Sequence, residues 1–156
     1  MEITMSDSQL DGFDRKILAI LAQDGRIAVT ELARRVGLSK SPCQVRMKRL
    51  QADGYIQGFR ARLDPAKMGL EHIAFVEVRL TDTTERALQA FARAVRDVPE
   101  IEQCHMIAGA FDYLLKVRTP DIQAYRIVLG EKVSALPHVG STSTHVSMEA
   151  IKDDIF

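Results

Sequence analysis

Residues 29–56 read VTELARRVGLSKSPCQVRMKRLQADGYI, and the spacing within this stretch decides the N-terminal fold. Leu32, Ala33 and Val36 mark a short helix that stops at Gly37, a natural C-cap. Ala28 gives that helix no side-chain cap. Ser39 is positioned to cap the next helix, and Pro42 is tolerable in its first turn, where a missing N–H costs nothing. This helix runs to Asp53-Gly54. Upstream, Leu10, Phe13, Ile17, Leu18, Ile20 and Leu21 recur with helical spacing behind Asp11 as N-cap, and Asp24-Gly25 ends the run. Helix, helix, glycine-containing turn, helix is the order of a helix-turn-helix. Residues 55–63 alternate apolar and polar side chains around Gly58, the pattern of a small β wing. Asp64-Pro65 then opens a linker through residue 70.

The second half reads strand, helix, strand, strand, helix, strand. Residues 73–80 are rich in β-branched side chains, and residues 84–98 place Ala87, Leu88, Phe91, Ala92 and Val95 on one helical face. Residues 101–107 and 113–117 are strands joined by residues 108–112; a last helix lies within 121–136, Pro137 ends it, and 139–148 closes the sheet. This βαββαβ order predicts a ferredoxin-like antiparallel sheet with helices on one face. The fold class is therefore α+β: a winged helix-turn-helix over 1–63, a linker over 64–70 and a ferredoxin-like domain over 71–156.

Length and composition agree with two soluble modules. The 156 residues divide into parts of roughly 60 and 90. Modules of that size bury little core, so association stabilises them. With 46% hydrophobic and 27% charged residues the chain is not generally disordered. No apolar run approaches the roughly 20 residues of a membrane helix, and residues 1–10 are acidic and polar, unlike a secretory signal. Cys43 and Cys104 give no disulfide framework, and a cytoplasmic location fits best. The formal net charge is +0, but its distribution is uneven. Between residues 37 and 62 the bases Lys40, Arg46, Lys48, Arg49, Arg60 and Arg62 face the single acid Asp53, whereas beyond Leu63 acids outnumber bases. A basic module on an acidic partner domain suits a local contact with double-stranded DNA.

At 100° per residue, Cys43, Met47 and Leu50 fall on one apolar face of the third helix, with Ser41, Gln44, Val45 and Lys48 roughly opposite. Such a helix packs by one face and offers base-reading donors and acceptors on the other. Arg46 and Arg49 lie at the margins, suited to phosphate contacts or to a packing salt bridge. Lys40 at the helix start and Arg60 and Arg62 in the wing complete the expected DNA-binding set.

No catalytic or metal site assembles. Adjacent strand residues point to opposite faces, so Cys104-His105 cannot act as a nucleophile–base pair. His72, His138 and His145 lack zinc-site spacing. Gly109 is not followed by the Lys-Ser/Thr of a phosphate loop. No cofactor is expected, and Met5, Met47, Met68, Met106 and Met148 read as core or gap filling. The competing readings are a small enzyme on a ferredoxin-like sheet or a helix-turn-helix used as an interaction module.

The chain resembles the leucine-responsive regulatory protein/AsnC, or feast/famine, transcription regulators over about residues 10–152. The carriers in the first half are residues 14–21 with Asp24-Gly25-Arg26, Glu31-Leu32-Ala33, Val36-Gly37-Leu38-Ser39, Pro42-Cys43, Arg46, Arg49-Leu50 and Gly54-Tyr55-Ile56. In the second half they are residues 102–105, Gly109, Phe111-Asp112-Tyr113-Leu114-Leu115-Lys116, Pro120-Asp121, Ala124-Tyr125-Arg126 and Leu136-Pro137. The resemblance implies a DNA-binding domain followed by a domain that binds an amino-acid effector, with homodimers formed through the second domain and higher assemblies of dimers. Leucine, another apolar amino acid or proline is the expected effector. Ala110 departs from the family, many members of which have Asp or Asn there.

An amino acid needs donors for its carboxylate, an acceptor for its ammonium and an apolar pocket. The connection Gly109, Ala110, Phe111 and Asp112 can supply backbone donors and one acceptor, Asp112. The expected site is completed by Ser141, Thr142, Ser143 and Thr144 or by another subunit. The alternative is a plain β connection in which Asp112 caps its own backbone.

Overall fold

The computed structural model describes residues 10–153, so Met5 and both chain ends lie outside the described residues. The chain divides between Arg62 and Leu63 into two compact units.

The first unit holds three helices: α1 Gly12–Gln23, α2 Val29–Val36 and α3 Lys40–Ala52. Asp11 starts α1 with a reciprocal capping box. Its Oδ1 accepts the Asp14 N–H at 2.9 Å, and Asp14 Oδ2 accepts the Asp11 N–H at 3.1 Å. Helix α2 ends at Gly37, whose φ of 82° puts it in the left-handed region that glycine adopts without a Cβ penalty. Ser39 stands at the N-cap of α3 as expected, but its side chain makes no capping bond. Ile17, Leu32, Val36, Cys43 and Leu50 are buried at the centre, with Met47 packed beside them.

The expected wing strand does not form. Residues 55–63 are irregular backbone, anchored where the Ile56 N–H donates to the Leu50 carbonyl at 3.1 Å. Alternation makes a strand only where a second strand supplies the ladder, and among the described residues of this unit there is none. Residues 64–70, expected as a linker, form a turn in which Asp64 Oδ1 accepts the Ala66 N–H at 3.0 Å and Leu70 N–H donates to Pro65 at 2.8 Å.

The second unit is β1 His72–Leu80, α4 Glu85–Arg96, β2 Ile101–Met106, β3 Tyr113–Thr119, α5 Ile122–Val128 and β4 Val139–Val146. The antiparallel sheet has the order β2-β3-β1-β4, the ferredoxin-like arrangement the sequence predicts. Thr84 and Asp121 cap α4 and α5 by accepting N–H groups of Ala87 and Ala124. The last helix lies within 121–136 as expected, with a π-helical turn, Leu129–Val133, in place of its final turns that buries Val133. Ala74, Val76, Val78, Leu115 and Val117 meet Phe91, Val95, Tyr125 and Val128 between sheet and helices. Met68, Met106 and Met148 are exposed rather than core.

On the opposite sheet face, residues 147–153 run over Ile73, Phe75 and Lys116 and enclose a cleft of about 380 Å³. Lys116, 7% exposed, donates to both oxygens of Asp153 at 2.6 and 2.8 Å. That hydrogen bond holds the Asp153 carboxyl below its ordinary range. Arg118 binds Glu102 and also reaches Asp153 at 3.1 Å. A lysine this buried requires its carboxylate partner, so the pairing is what seats the segment.

Candidate nucleic-acid interface and effector loop

Helix α3 separates its faces as its sequence demands. Cys43 and Leu50 are fully buried, while Lys40, Ser41, Gln44 and Lys48 are exposed and Val45 is 67% exposed. An amide, an ammonium and a hydroxyl around a bare aliphatic group match the edges of a major groove, where the thymine methyl accepts apolar contact. No acid lies in the first turn of α3, so its N-terminal dipole is open to a phosphate oxygen. Arg60 and Arg62 are exposed on the irregular segment that stands where a wing was expected.

Arg46 and Arg49 are engaged within the unit, so the packing role expected as an alternative to phosphate contact is the one observed. Arg46 Nη1 lies 2.6 Å from Asp11 Oδ2 and 2.9 Å from Asp14 Oδ1, and its guanidinium sits 5.4 Å from the centre of the Phe13 ring. Arg49 Nη2 lies 2.5 Å from Asp14 Oδ2. The Asp14 side chain is only 1% exposed, whereas those of Arg46 and Arg49 are 25% and 45% exposed. Stripping a buried charge of its partners costs about 3–5 kcal/mol, against about 1 kcal/mol for a charge pair at 4 Å in water. The buried carboxylate therefore holds both guanidinium groups in this structure. Sequence reasoning saw Asp11 as a cap but missed Asp14. The available signal was an acid on the apolar stripe of α1, three residues before Ile17.

In the second unit, Asp112 bonds the backbone of β1 through its carboxylate rather than capping its own. Its Oδ2 accepts the Leu80 N–H at 2.7 Å, its own N–H donates to Val78 at 2.9 Å, and its carbonyl accepts the Ile107 N–H at 2.8 Å. Asp112 thus closes the β2–β3 connection and pins it to the end of β1. Gly109 and Ala110 stand exposed beside it, and Phe111 is half-buried.

The β4 residues arrive beside the same strand end, with Ser141 opposite Arg79 and Thr142 opposite Val78. They do not act as one group, however. Thr144 pairs with the buried Val76 and its hydroxyl meets the Tyr125 hydroxyl at 2.5 Å, so it faces the helices, and Thr142 shares that face. Ser141 and Ser143 lie on the opposite side. Strand alternation divides the four expected residues into two pairs, and a single ligand beside Gly109 cannot use both.

Cys104 and His105 also alternate, pairing with Leu115 and Leu114. Burial raises the Cys104 thiol, which disfavours a nucleophilic thiolate. His72 bonds Thr119 at 3.0 Å and His145 bonds Glu77 at 3.2 Å. Among the described residues no three histidine, cysteine or carboxylate side chains gather as metal ligands, and no helix is long and apolar enough to cross a membrane.

Comparison with known proteins agrees with both halves. Residues 10–57 match the family described as winged helix-turn-helix DNA-binding, and residues 73–155 match the Lrp/AsnC ligand binding domain. The chain is 62% identical over 144 residues to a proline dehydrogenase transcriptional activator of Rhizobium radiobacter, covering 92% of each. It is 46% identical over 143 residues to the leucine-responsive regulatory protein of Escherichia coli, covering 92% of this chain and 87% of that protein. Among solved structures, an AsnC family transcriptional regulator from Agrobacterium tumefaciens superposes with a TM-score of 0.86 at 36% identity, covering 92% of this chain and 93% of that one. A Neisseria meningitidis transcriptional regulator in complex with L-Met superposes with a TM-score of 0.85 at 33% identity, with the same coverage. With both domains matched in order, this chain belongs to the Lrp/AsnC family of transcription regulators.

Proposed function

We propose that this protein is a sequence-specific, amino-acid-responsive regulator that binds double-stranded DNA through residues 1–63 and senses its effector and assembles through residues 71–156, joined by residues 64–70. The observation that carries this reading is the division of α3 into a buried face and an exposed polar face within a helix-turn-helix unit. The direct readers are Gln44, Val45 and Lys48, with Lys40, Ser41, Arg60 and Arg62 on phosphates. The 62% identity to a proline dehydrogenase activator supports proline as effector and a proline dehydrogenase promoter as target. The role is regulatory rather than enzymatic, and cytoplasmic.

Gln44→Ala or Lys48→Ala should cost about 1–3 kcal/mol on the cognate site if the lost contact reads a base. Anisotropy titration of DNA from upstream of a proline dehydrogenase gene, against scrambled DNA, measures this. Equal losses on both DNAs would mean that neither side chain reads a base.

The effector loop in this reading is Gly109, Ala110 and Phe111, held in place by Asp112 and completed by Ser141 and Ser143 or by a second copy of the chain. Small domains associate to enlarge their core, and a two-fold dimer lets paired half-sites multiply discrimination. The sheet face opposite the helices, where Phe75 remains 36% exposed, is the surface best suited to that association. Gly109→Val should abolish proline binding in calorimetry while DNA binding by the unliganded protein persists. The fold tolerates the change, because Gly109 does not use the left-handed region and a Cβ there would meet only Ile107 Cγ2 at 3.5 Å. Unchanged proline affinity in the variant would move the site elsewhere.

A further inference from the structure

We propose that the Asp11–Asp14 carboxylate pair is a specificity device: it withholds the charges of Arg46 and Arg49 from the DNA backbone and uses them to fix the angle of α3. The inference rests on the DNA-binding reading above but concerns residues that reading does not use. Phosphate attraction is the part of binding that ignores sequence, because every duplex presents the same backbone charge. A recognition helix with four cations, Lys40, Arg46, Lys48 and Arg49, would grip any DNA. Two of the four are instead neutralised inside the protein.

The geometry shows how. Asp14 sits on the apolar stripe of α1, buried beside Ile17, and its two oxygens divide the labour: Oδ1 faces Arg46, while Oδ2 faces Arg49 and the Asp11 N–H. Asp11 adds a second carboxylate to Arg46. Both carboxylates come from the first turn of α1 and its cap, so they tie α3 to the fixed end of another helix. The arginines are three residues apart on α3, one turn, and a rotation of that helix would break both contacts. Asp11 is held below its ordinary carboxylate range by the capping bond from Asp14 and then by Arg46, so its carboxylate stays charged at neutral pH. A contact that positions without touching DNA favours discrimination over gross affinity.

The salt dependence of DNA binding separates this role from an ordinary phosphate contact. The slope of log affinity against log salt changes by about 0.9 for each phosphate that a protein cation newly neutralises or releases. In the full chain, Arg60→Gln should flatten the slope by about 0.9 per subunit. Arg49→Gln should leave it unchanged while operator-over-random preference falls several-fold. Asp14→Asn, which frees Arg49, should steepen the slope on random DNA by about 0.9 per subunit and raise random-DNA affinity at low salt. A flattening by Arg49→Gln as large as that from Arg60→Gln makes Arg49 a phosphate contact and overturns the proposal. So does an unchanged slope in a folded Asp14→Asn protein. If Asp14→Asn does not fold, the Arg49→Gln comparison decides alone. Failure of the wild-type protein to bind DNA at all would be a failure of the functional reading, and wild-type binding is measured before any variant is compared.

Discussion

Affinity for DNA should fall roughly 10³-fold as salt rises from about 50 to about 200 mM. Lys40, Arg60 and Arg62 are exposed on the first unit, whereas Arg46 and Arg49 are paired with Asp11 and Asp14. Two subunits on one site then neutralise about six phosphates, for a slope near −5, and a roughly fourfold rise in salt costs about three decades. Were Arg46 and Arg49 also on phosphates, the contacts would number about ten and the loss would approach 10⁵-fold. Titrations by fluorescence anisotropy at four or more salt concentrations distinguish these outcomes. Affinity indifferent to salt would instead favour a helix-turn-helix that binds proteins.

Phe91→Ala should destabilise the second unit by about 3–5 kcal/mol. Phe91 is fully buried between α4 and the sheet, and its ring centre lies 4.4 Å from that of Tyr113. Truncation removes the largest fully buried side chain of that core and leaves a cavity walled by strands β1 and β3, which hydrogen-bond to each other along their length and cannot collapse into it. Against a typical stability of about 5–15 kcal/mol, that is about a fifth or more of the total. Urea unfolding followed by circular dichroism reads the loss directly. Because assembly is proposed to run through this unit, the variant should also bind DNA more weakly while leaving α3 intact. A loss below about 1 kcal/mol would mean that the core closes around the missing ring.

The helical segments were legible because each was signalled twice, by apolar period and by punctuation. Asp11, Gly37, Thr84 and Asp121 sit at the caps where local chemistry puts them. Strand spans were legible to within a few residues for the same reason. The failures share a different cause. Residues 55–63 carry strand alternation, but a strand is a relation between two segments and alternation describes one. The run Ser141, Thr142, Ser143 and Thr144 looked like one polar cluster until the ladder with β1 assigned alternate residues to opposite faces.

The amino-acid sequence by itself determined the two-part architecture, the order of its elements and the division of α3 into a buried and an exposed polar face. Those properties follow from period, capping and charge, which act between residues close in the chain. Only the tertiary structure decided which cations are paired within the protein and what Asp112 does. Asp14 lies 32 positions from Arg46 and 35 from Arg49, and Asp112 lies 32 from Leu80. A guanidinium or a carboxylate binds whichever partner burial makes most costly to leave unpaired. That partner is chosen by packing between elements, where no local pattern reaches.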